Sequence, residues 1–292
     1  HLIHFPIQSL HDIEQKRLMI ISLSSLSSLG YKESAGSSID ADAQAFLIAA
    51  AIVDVTIVGA IDTLVRTLKT AGVWAKLHAL WPMVGGSAST HKWNLKDPRD
   101  LDAAYRLSFL GGGWTHSSTG ALPNGSSSYA NTFLVPTTVL TPSNGSLGVY
   151  SRTDSTAGQP YDLAASSASD TQATFVICRY TNSNAYLNYG TSTYVFSASP
   201  DGRGFFVTNR LSATQTDQVR NGSHMSSSPI TENVSLPAFS FYLGCNNRGG
   251  TPAYFSNKQY ALAFVGNGMS LVEIAAFYAA VQAFQTTLGR SV

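Results

Sequence analysis

Residues 217–228 read DQVRNGSHMSSS, and residues 237–246 read PAFSFYLGCN. In the first stretch a polar strand-like run meets Asn221-Gly222 and a second polar run follows. Asn and Gly both tolerate positive φ, so the pair predicts a two-residue type I′ hairpin. In the second stretch a Phe/Tyr-rich run ends at Gly244, Cys245 and Asn246. Aromatic and β-branched runs bounded by such turn residues specify antiparallel strands rather than helices.

Working outward, the same texture reaches back to Tyr105. The runs YRLSFLG (105–111), SYANTFLVP (128–136), SLGVYSRT (146–153), ATFVICRY (173–180), AYLNYG (185–190), TYVFSAS (193–199), RGFFVTNRLS (203–212) and YALAFVGN (260–267) alternate with Gly, Asn, Ser and Pro. Breaks recur about every 8 to 15 residues, the pattern of an antiparallel sandwich or jelly roll. No G-x-G-x-x-G follows a strand and no phosphate-binding loop is present. After Asn267-Gly268 one helix is predicted. Ser270 caps it, Glu273 completes a capping box, and Ile274, Phe277, Tyr278, Val281 and Phe284 form one apolar face ending at Gly289.

The chain before Tyr105 reads differently. From Ile39 to about Leu80 the periodicity is helical. Asp40 or Asp42 can cap a first helix over the small apolar run 43–51. Asp54-Val55-Thr56 marks a break and a new start, and Ile57, Ile61, Leu64, Val65 and Leu68 then recur at helical spacing up to Gly72. Trp74, Leu77, His78, Leu80 and Trp81 form a short aromatic segment stopped by Pro82. The stretch HKWNLKDPRDLDAAYR (91–106) is the most charged of the chain and reads as a connector held by salt bridges and Trp93. A sharper reading makes it an active-site loop using His91 and Asp97. The expected organisation is an extended docking segment over 1–38, a helical adapter and connector over 39–104, and a jelly roll with a C-terminal helix over 105–292.

Composition narrows the function. Of 292 residues 44% are hydrophobic, enough for a sizeable core, but only 12% are charged and the net charge is +1. Polarity comes from Ser, Thr, Asn and Gly. Without a Lys/Arg run or a basic excess, nothing here tracks phosphates or anionic lipid, so neither nucleic acid nor membrane insertion is expected. The apolar patch LMIISLSSL (18–26) is too short and serine-rich to span a bilayer. Cys178 and Cys245 lie in strand-like runs and read as buried free thiols, with a disulfide between them as the alternative. The sequons at Asn124, Asn144, Asn221 and Asn233 arise easily in an Asn/Ser-rich chain.

Catalytic chemistry finds little purchase. Glycoside hydrolysis takes two carboxyl groups across one bond. Glu14, Glu33, Glu232 and Glu273 are unpaired, and Asp100 and Asp102 alternate correctly but precede the strands beside Pro98. No G-x-S-x-G is present, and His116 and His224 sit in polar turns among many serines. His78, His91, His116 and His224 have no metal-ligand spacing. Calcium is possible on loop carboxylates, with Asp154, Asp162, Asp170 and Asp201 as candidates. Carbohydrate binding takes aromatic faces with amide partners. Trp114, Asn182, Asn184, Tyr186 and Tyr189 can supply these. The competing reading of the two tyrosines is one core ring and one surface ring on a strand.

The order RGFFVTNR, DQVRNG, FSFYLGCN and YALAFVGNGMS, followed by an acidic helix start, resembles the concanavalin A-like or laminin-G-like jelly-roll family over about 107–290. With the upstream DADAQAF, the segment STHKWNLKDPRDLDAAYRLSFLGG and the ending FYAAVQAFQTTLGR, residues 39–292 resemble tailed-bacteriophage structural proteins of the tail-fibre, appendage or virion-decoration type. The resemblance implies a virion location, other virion proteins as partners, a homo-oligomer and contact with host-surface glycans. A free carbohydrate-binding module without catalytic activity is the alternative.

Overall fold

A computed structural model describes residues 38–156, 159–190, 194–229 and 235–292. Five helices occur among them: α1 (Ala41–Ala49), α2 (Val55–Thr70), the single turns α3 (Ala88–His91) and α4 (Pro136–Val139), and α5 (Leu271–Thr287). The strands in chain order are β1 (Leu77–Trp81), β2 (Ser108–Leu110), β3 (Thr115–Ser117), β4 (Gly120–Leu122), β5 (Tyr129–Asn131), β6 (Gly145–Ser151), β7 (Leu163–Ser166), β8 (Ala173–Ile177) and β9 (Asn184–Tyr189). They continue as β10 (Phe196–Ala198), β11 (Gly204–Arg210), β12 (Gln215–Arg220), β13 (Ser223–Pro229), β14 (Tyr242–Leu243), β15 (Asn246–Arg248), β16 (Thr251–Ala253) and β17 (Tyr260–Gly266). The expected docking segment over 1–38 lies outside the described residues, apart from Ser38.

The strands form two sheets. The first runs β13-β12-β11-β6-β17-β4-β3, with β1 also paired to β17. The second runs β10-β9-β8-β7-β14-β5-β2, with β15 joined to β7 and β16. Pairing is antiparallel except between β15 and β7. The Asn221-Gly222 turn joins β12 to β13 with φ of 50° and 72°, the backbone a type I′ hairpin demands. Asn221 also accepts the Phe205 N–H through its side chain at 2.7 Å.

Alternation assigns the faces. On β6, Leu147 and Val149 point to the second sheet, while Tyr150 points to the helices. On β11, Phe206 points to the second sheet, and Phe205 and Val207 to the helices. All seven residues of β6, β11 and β17 are buried, so the centre of this sheet is covered on both sides. Between the sheets lie Trp81, Leu163, Val176, Leu187, Phe206, Phe241, Leu243 and Val265. On the far side of the first sheet, α1, α2 and α5 share a second core with Tyr150, Phe205, Leu262 and Phe264.

The helix ends follow the capping rules. Asp40 accepts from Asp42 N–H, and Asp54 from the N–H groups of Thr56 and Ile57. Ser270 and Glu273 form a reciprocal capping box, and Lys76 pairs with Glu273 at 2.7 Å. One reading is corrected. Residues 77–81 are not a stub of the helical region but strand β1, hydrogen-bonded to β17 and sending Trp81 into the inter-sheet core. The 39–104 segment thus contributes a strand to the first sheet as well as its helical cover. Cys178 and Cys245 are free and buried, and burial pushes both thiols up. No described helix is long and apolar enough to cross a membrane.

Phe277 is the contact point of α5 with the sheet. Its ring lies 4.8 Å from Phe264 and 5.3 Å from Phe205, edge-on to both, with no exposed surface. Phe277→Ala should cost about 3–5 kcal/mol. Val272→Ala, on the same helix but 79% exposed, should stay within about 0.5 kcal/mol of the parent. Denaturant midpoints of the two variants check this. Equal midpoints would mean that α5 does not share the sheet's core.

Candidate functional site

The outer face of the second sheet carries the aromatic residues that neither core uses. On β8, Ala173, Phe175 and Ile177 face outward, because Val176 and Cys178 face in. On β9, Tyr186 is outward, paired across from Ile177, while Ala185, Leu187 and Tyr189 are inward. Three tyrosines from outside these strands close over this face: Tyr161 just before β7, Tyr194 before β10 and Tyr254 after β16. Together with Tyr180, Gln159 and Asp170 they line a cavity of about 290 Å³.

The rings brace one another. Tyr161 and Tyr254 stack at 5.4 Å and 28°, and Phe175 meets Tyr161 edge-on at 5.0 Å and Tyr194 at 5.2 Å. Tyr186 meets Tyr180 at 5.5 Å and Phe196 at 5.5 Å. Aromatic pairs of this geometry hold side chains in place with their faces and edges defined. Burial pushes the Tyr161, Tyr180 and Tyr194 phenols above their ordinary range, so they remain neutral donors at physiological pH. Asp170 is the carboxylate among the described lining residues. Arg248 binds one of its oxygens at 2.8 Å and Ser166 the other at 2.8 Å, so the ion pair carries no net charge into the cavity.

The five residues expected to bind sugar are not brought together. Tyr186 lines the cavity, and Asn182 borders it by donating to the Tyr186 hydroxyl at 2.7 Å. Asn184 opens β9 and pairs with Ala198 on β10. Tyr189 is excluded, because three residues along a strand reverse the face. It is fully buried between the sheets, and its hydroxyl donates to the Thr141 and Asn144 carbonyls. Trp114 lies before β3 and packs against Phe109 and His116, and its indole N–H is already given to the Tyr129 carbonyl. Tyr161, Tyr194 and Tyr254 were missed. They are far apart in sequence, and only the strand order joins them.

The calcium candidates are each held by a cation, and only Asp154 and Asp201 are neighbours. Asp154 pairs with Arg179, Asp201 with Arg203, Asp170 with Arg248, and Asp162 lies buried beside Lys258. Among the described residues no group of three or more His, Cys, Asp or Glu side chains could hold a metal. His224 lies 2.7 Å from the Ser227 hydroxyl and 3.4 Å from Asp217, but through the same Nε2 atom. A catalytic triad needs base and acid on opposite ring nitrogens. The sequon residues Asn124, Asn144 and Asn221 use their side-chain oxygens to accept the backbone N–H groups of Ser128, Gly268 and Phe205. Asn233 lies outside the described residues. A larger cavity of about 510 Å³, lined by Ile52, Val53, Ile57, Val84 and Leu288 among others, contains no aromatic ring.

No family model and no curated protein matches the chain. Among solved structures, domain 4 of the extracellular arabinanase AbnA from Geobacillus stearothermophilus, in complex with arabinotriose, is similar at 14% identity and a TM-score of 0.44, covering 69% of this chain and 98% of that one. Trypanosoma rangeli sialidase is similar at 13% identity and a TM-score of 0.47, covering 76% of this chain but 38% of its own. The CBM40 of Ruminococcus gnavus IT-sialidase, bound to α2,6 sialyllactose, is similar at 12% identity and a TM-score of 0.38, covering 46% of this chain and 83% of that one.

His91 and Asp97, the pair considered for a catalytic loop, do not meet: Asp97 is held by Arg99. His91 is buried instead against His116, with their Nδ1 atoms 3.0 Å apart. Gly86 N–H donates to His91 Nε2 at 3.2 Å, so the proton of a neutral His91 sits on Nδ1 and is donated to His116. Burial first, then the His116 and Arg290 charges, lower the His91 pKa from 6.5 to about 3, and burial lowers that of His116. The unfolded chain therefore takes up these protons first. Stability is fully held above pH 6.5 and falls with pH toward the folded value, by up to about 1.4 kcal/mol per pH unit for His91. The paired carboxylates, whose ordinary values are 3.8 and 4.5, add their own loss as pH falls to about these. Denaturant midpoints between pH 6.5 and 4.5 should thus fall in the parent, and His91→Gln should remove most of that slope. A flat parent profile would refute the neutral pair.

Proposed function

We propose that the chain is a carbohydrate-binding module without catalytic activity, and that the tyrosine-lined cavity on the outer face of the second sheet holds the sugar. The observation carrying this reading is the convergence of Tyr161, Tyr180, Tyr186, Tyr194 and Tyr254 with Gln159 and Asp170 around one small cavity. Sugar rings present C–H faces that lie on aromatic rings and hydroxyls that seek amide, phenol and carboxylate partners. The volume lies near the lower end of small-molecule sites, about 300–1,000 Å³. Against hydrolysis, the one carboxylate among the described lining residues is already bound by Arg248 and Ser166, whereas glycosidic cleavage takes a pair. The neutral Asp170–Arg248 pair favours a neutral sugar over an acidic one.

The resemblance over 39–292 supports a second, compatible reading in which the module is a virion subunit with a jelly-roll body and uses the cavity on host-surface glycans. A Ser/Thr/Asn-rich surface with few charges suits an exposed particle protein. Native mass at micromolar concentration should then show a homo-oligomer or co-purification with particles, and a free monomer without particle association would count against the virion reading alone.

Binding of the full chain to a glycan array, followed by titration of the strongest hit, tests the sugar reading. Tyr254→Ala and Tyr194→Ala should each weaken binding about tenfold, equivalent to about 1.4 kcal/mol. Trp114→Ala should leave affinity unchanged. An array without signal, or affinity that ignores both tyrosines but falls with Trp114→Ala, would move the site or remove it.

A further inference from the structure

Two ionisable side chains with no exposed surface meet where the two sheets come together. Asp162 immediately precedes β7 of the second sheet, and Lys258 lies two residues before β17 of the first. Lys258 Nζ is 3.5 Å from Asp162 Oδ1 and has no hydrogen-bond partner. Asp162 is surrounded: Cys178 N–H donates to Oδ2 at 2.7 Å, and the hydroxyls of Ser256 and Tyr260 donate to Oδ1 at 2.8 and 2.7 Å.

This is an unusual way to bury a cation. An ammonium has three donors and costs several kcal/mol to desolvate unless acceptors surround it. Arg290, equally buried, shows the ordinary solution, with bonds to Gln285 Oε1 and to the Met83, Pro82 and Ala261 carbonyls. Lys258 has none of these. Its nitrogen is set beside a carboxyl group whose oxygens are already held, an arrangement suited to attack on Cγ.

The geometry points to an intramolecular isopeptide bond between Lys258 Nζ and Asp162 Cγ. The reaction is a condensation and takes no oxidant or cofactor. One proton passes from the ammonium to Oδ1, giving a neutral amine and a carboxylic acid. The amine lone pair forms the N–C bond, and the charge developing on Oδ2 is met by the Cys178 N–H, a preorganised donor. A second proton leaves Nζ for Oδ1 through the adjoining Tyr260 or Ser256 hydroxyl. The Cγ–Oδ1 bond then breaks, and that oxygen departs as water. Three ammonium protons become one amide N–H and the two hydrogens of water, so atoms and charge balance. The product replaces an unsatisfied buried cation with a neutral amide whose carbonyl keeps the Cys178 bond. It also ties β7 to β17 across the two sheets, closing a loop over 162–258 in a chain whose two cysteines are free.

Intact mass of the full chain under denaturing conditions tests this, since it requires no variant to fold. The protein should be lighter than its sequence mass by one water. Trypsin should not cut after Lys258, and a branched peptide should join residues 153–179 to 249–290. Lys258→Arg and Asp162→Ala should each restore the full sequence mass and abolish the branched peptide. A wild-type chain at its sequence mass overturns the proposal. So does a one-water deficit that persists in Lys258→Arg, which would mark cyclisation of an aspartate on its own backbone.

Discussion

The centre of the first sheet has no free face, and the rest of the molecule follows from that. Strands β6, β11 and β17 are buried at every residue. A sheet apolar on both sides must be covered on both sides, as in layered folds where helices protect one face. The second sheet covers one side through Trp81, Phe206 and their neighbours. Helices α1, α2 and α5 cover the other through Phe46, Leu64, Phe277 and Phe284. The helices are therefore required by the sheet, and β1, leading out of α2, enters that same sheet.

The same constraint decides where binding chemistry can sit. With the centre of the first sheet enclosed, the outer face of the second offers an aromatic surface that neither core uses. Its aromatic side chains cannot serve the inter-sheet core, because alternation points them away from it. Phe175 and Tyr186 are placed there by β8 and β9, and the segments that pass over the face add Tyr161, Tyr194 and Tyr254. Rigid strands carry the floor, and loop residues form the walls.

Local features were legible in the sequence and long-range ones were not. Asn221-Gly222, the caps at Asp40, Asp54 and Ser270, and the apolar stripe of α5 each depend on residues within one turn or hairpin, so spacing reveals them. The mostly β class was legible from the turn rhythm. The strand at 77–81 was obscured because five residues following a helix carry too little alternation to announce a strand. Tyr186 and Tyr189 could be assigned to opposite faces by parity, but parity does not say which face is inward. Tyr254 could not be joined to Tyr161 at all, since their stacking depends on the β15–β7 pairing. Thirteen tyrosines in one chain were a compositional hint without an address.

Buried polar groups show how the ends of the fold are fastened. Arg290 reaches back from the C-terminus to three carbonyls on the β1–α3 connection and β17, and desolvation lowers its pKa to about 9. A planar fork with several donors suits that task better than a lysine would. Arg210 does the same at the other end of the first sheet, donating to the Gly190, Ser212 and Ala213 carbonyls. Both guanidiniums hold backbone carbonyls, Arg290 with the Gln285 side-chain oxygen besides, and so fix the loops they reach. Asp170 and Arg248 extend the same economy to the tyrosine cavity. Because each offsets the other's charge, the cavity offers shape, ring faces and hydrogen bonds rather than a free ion.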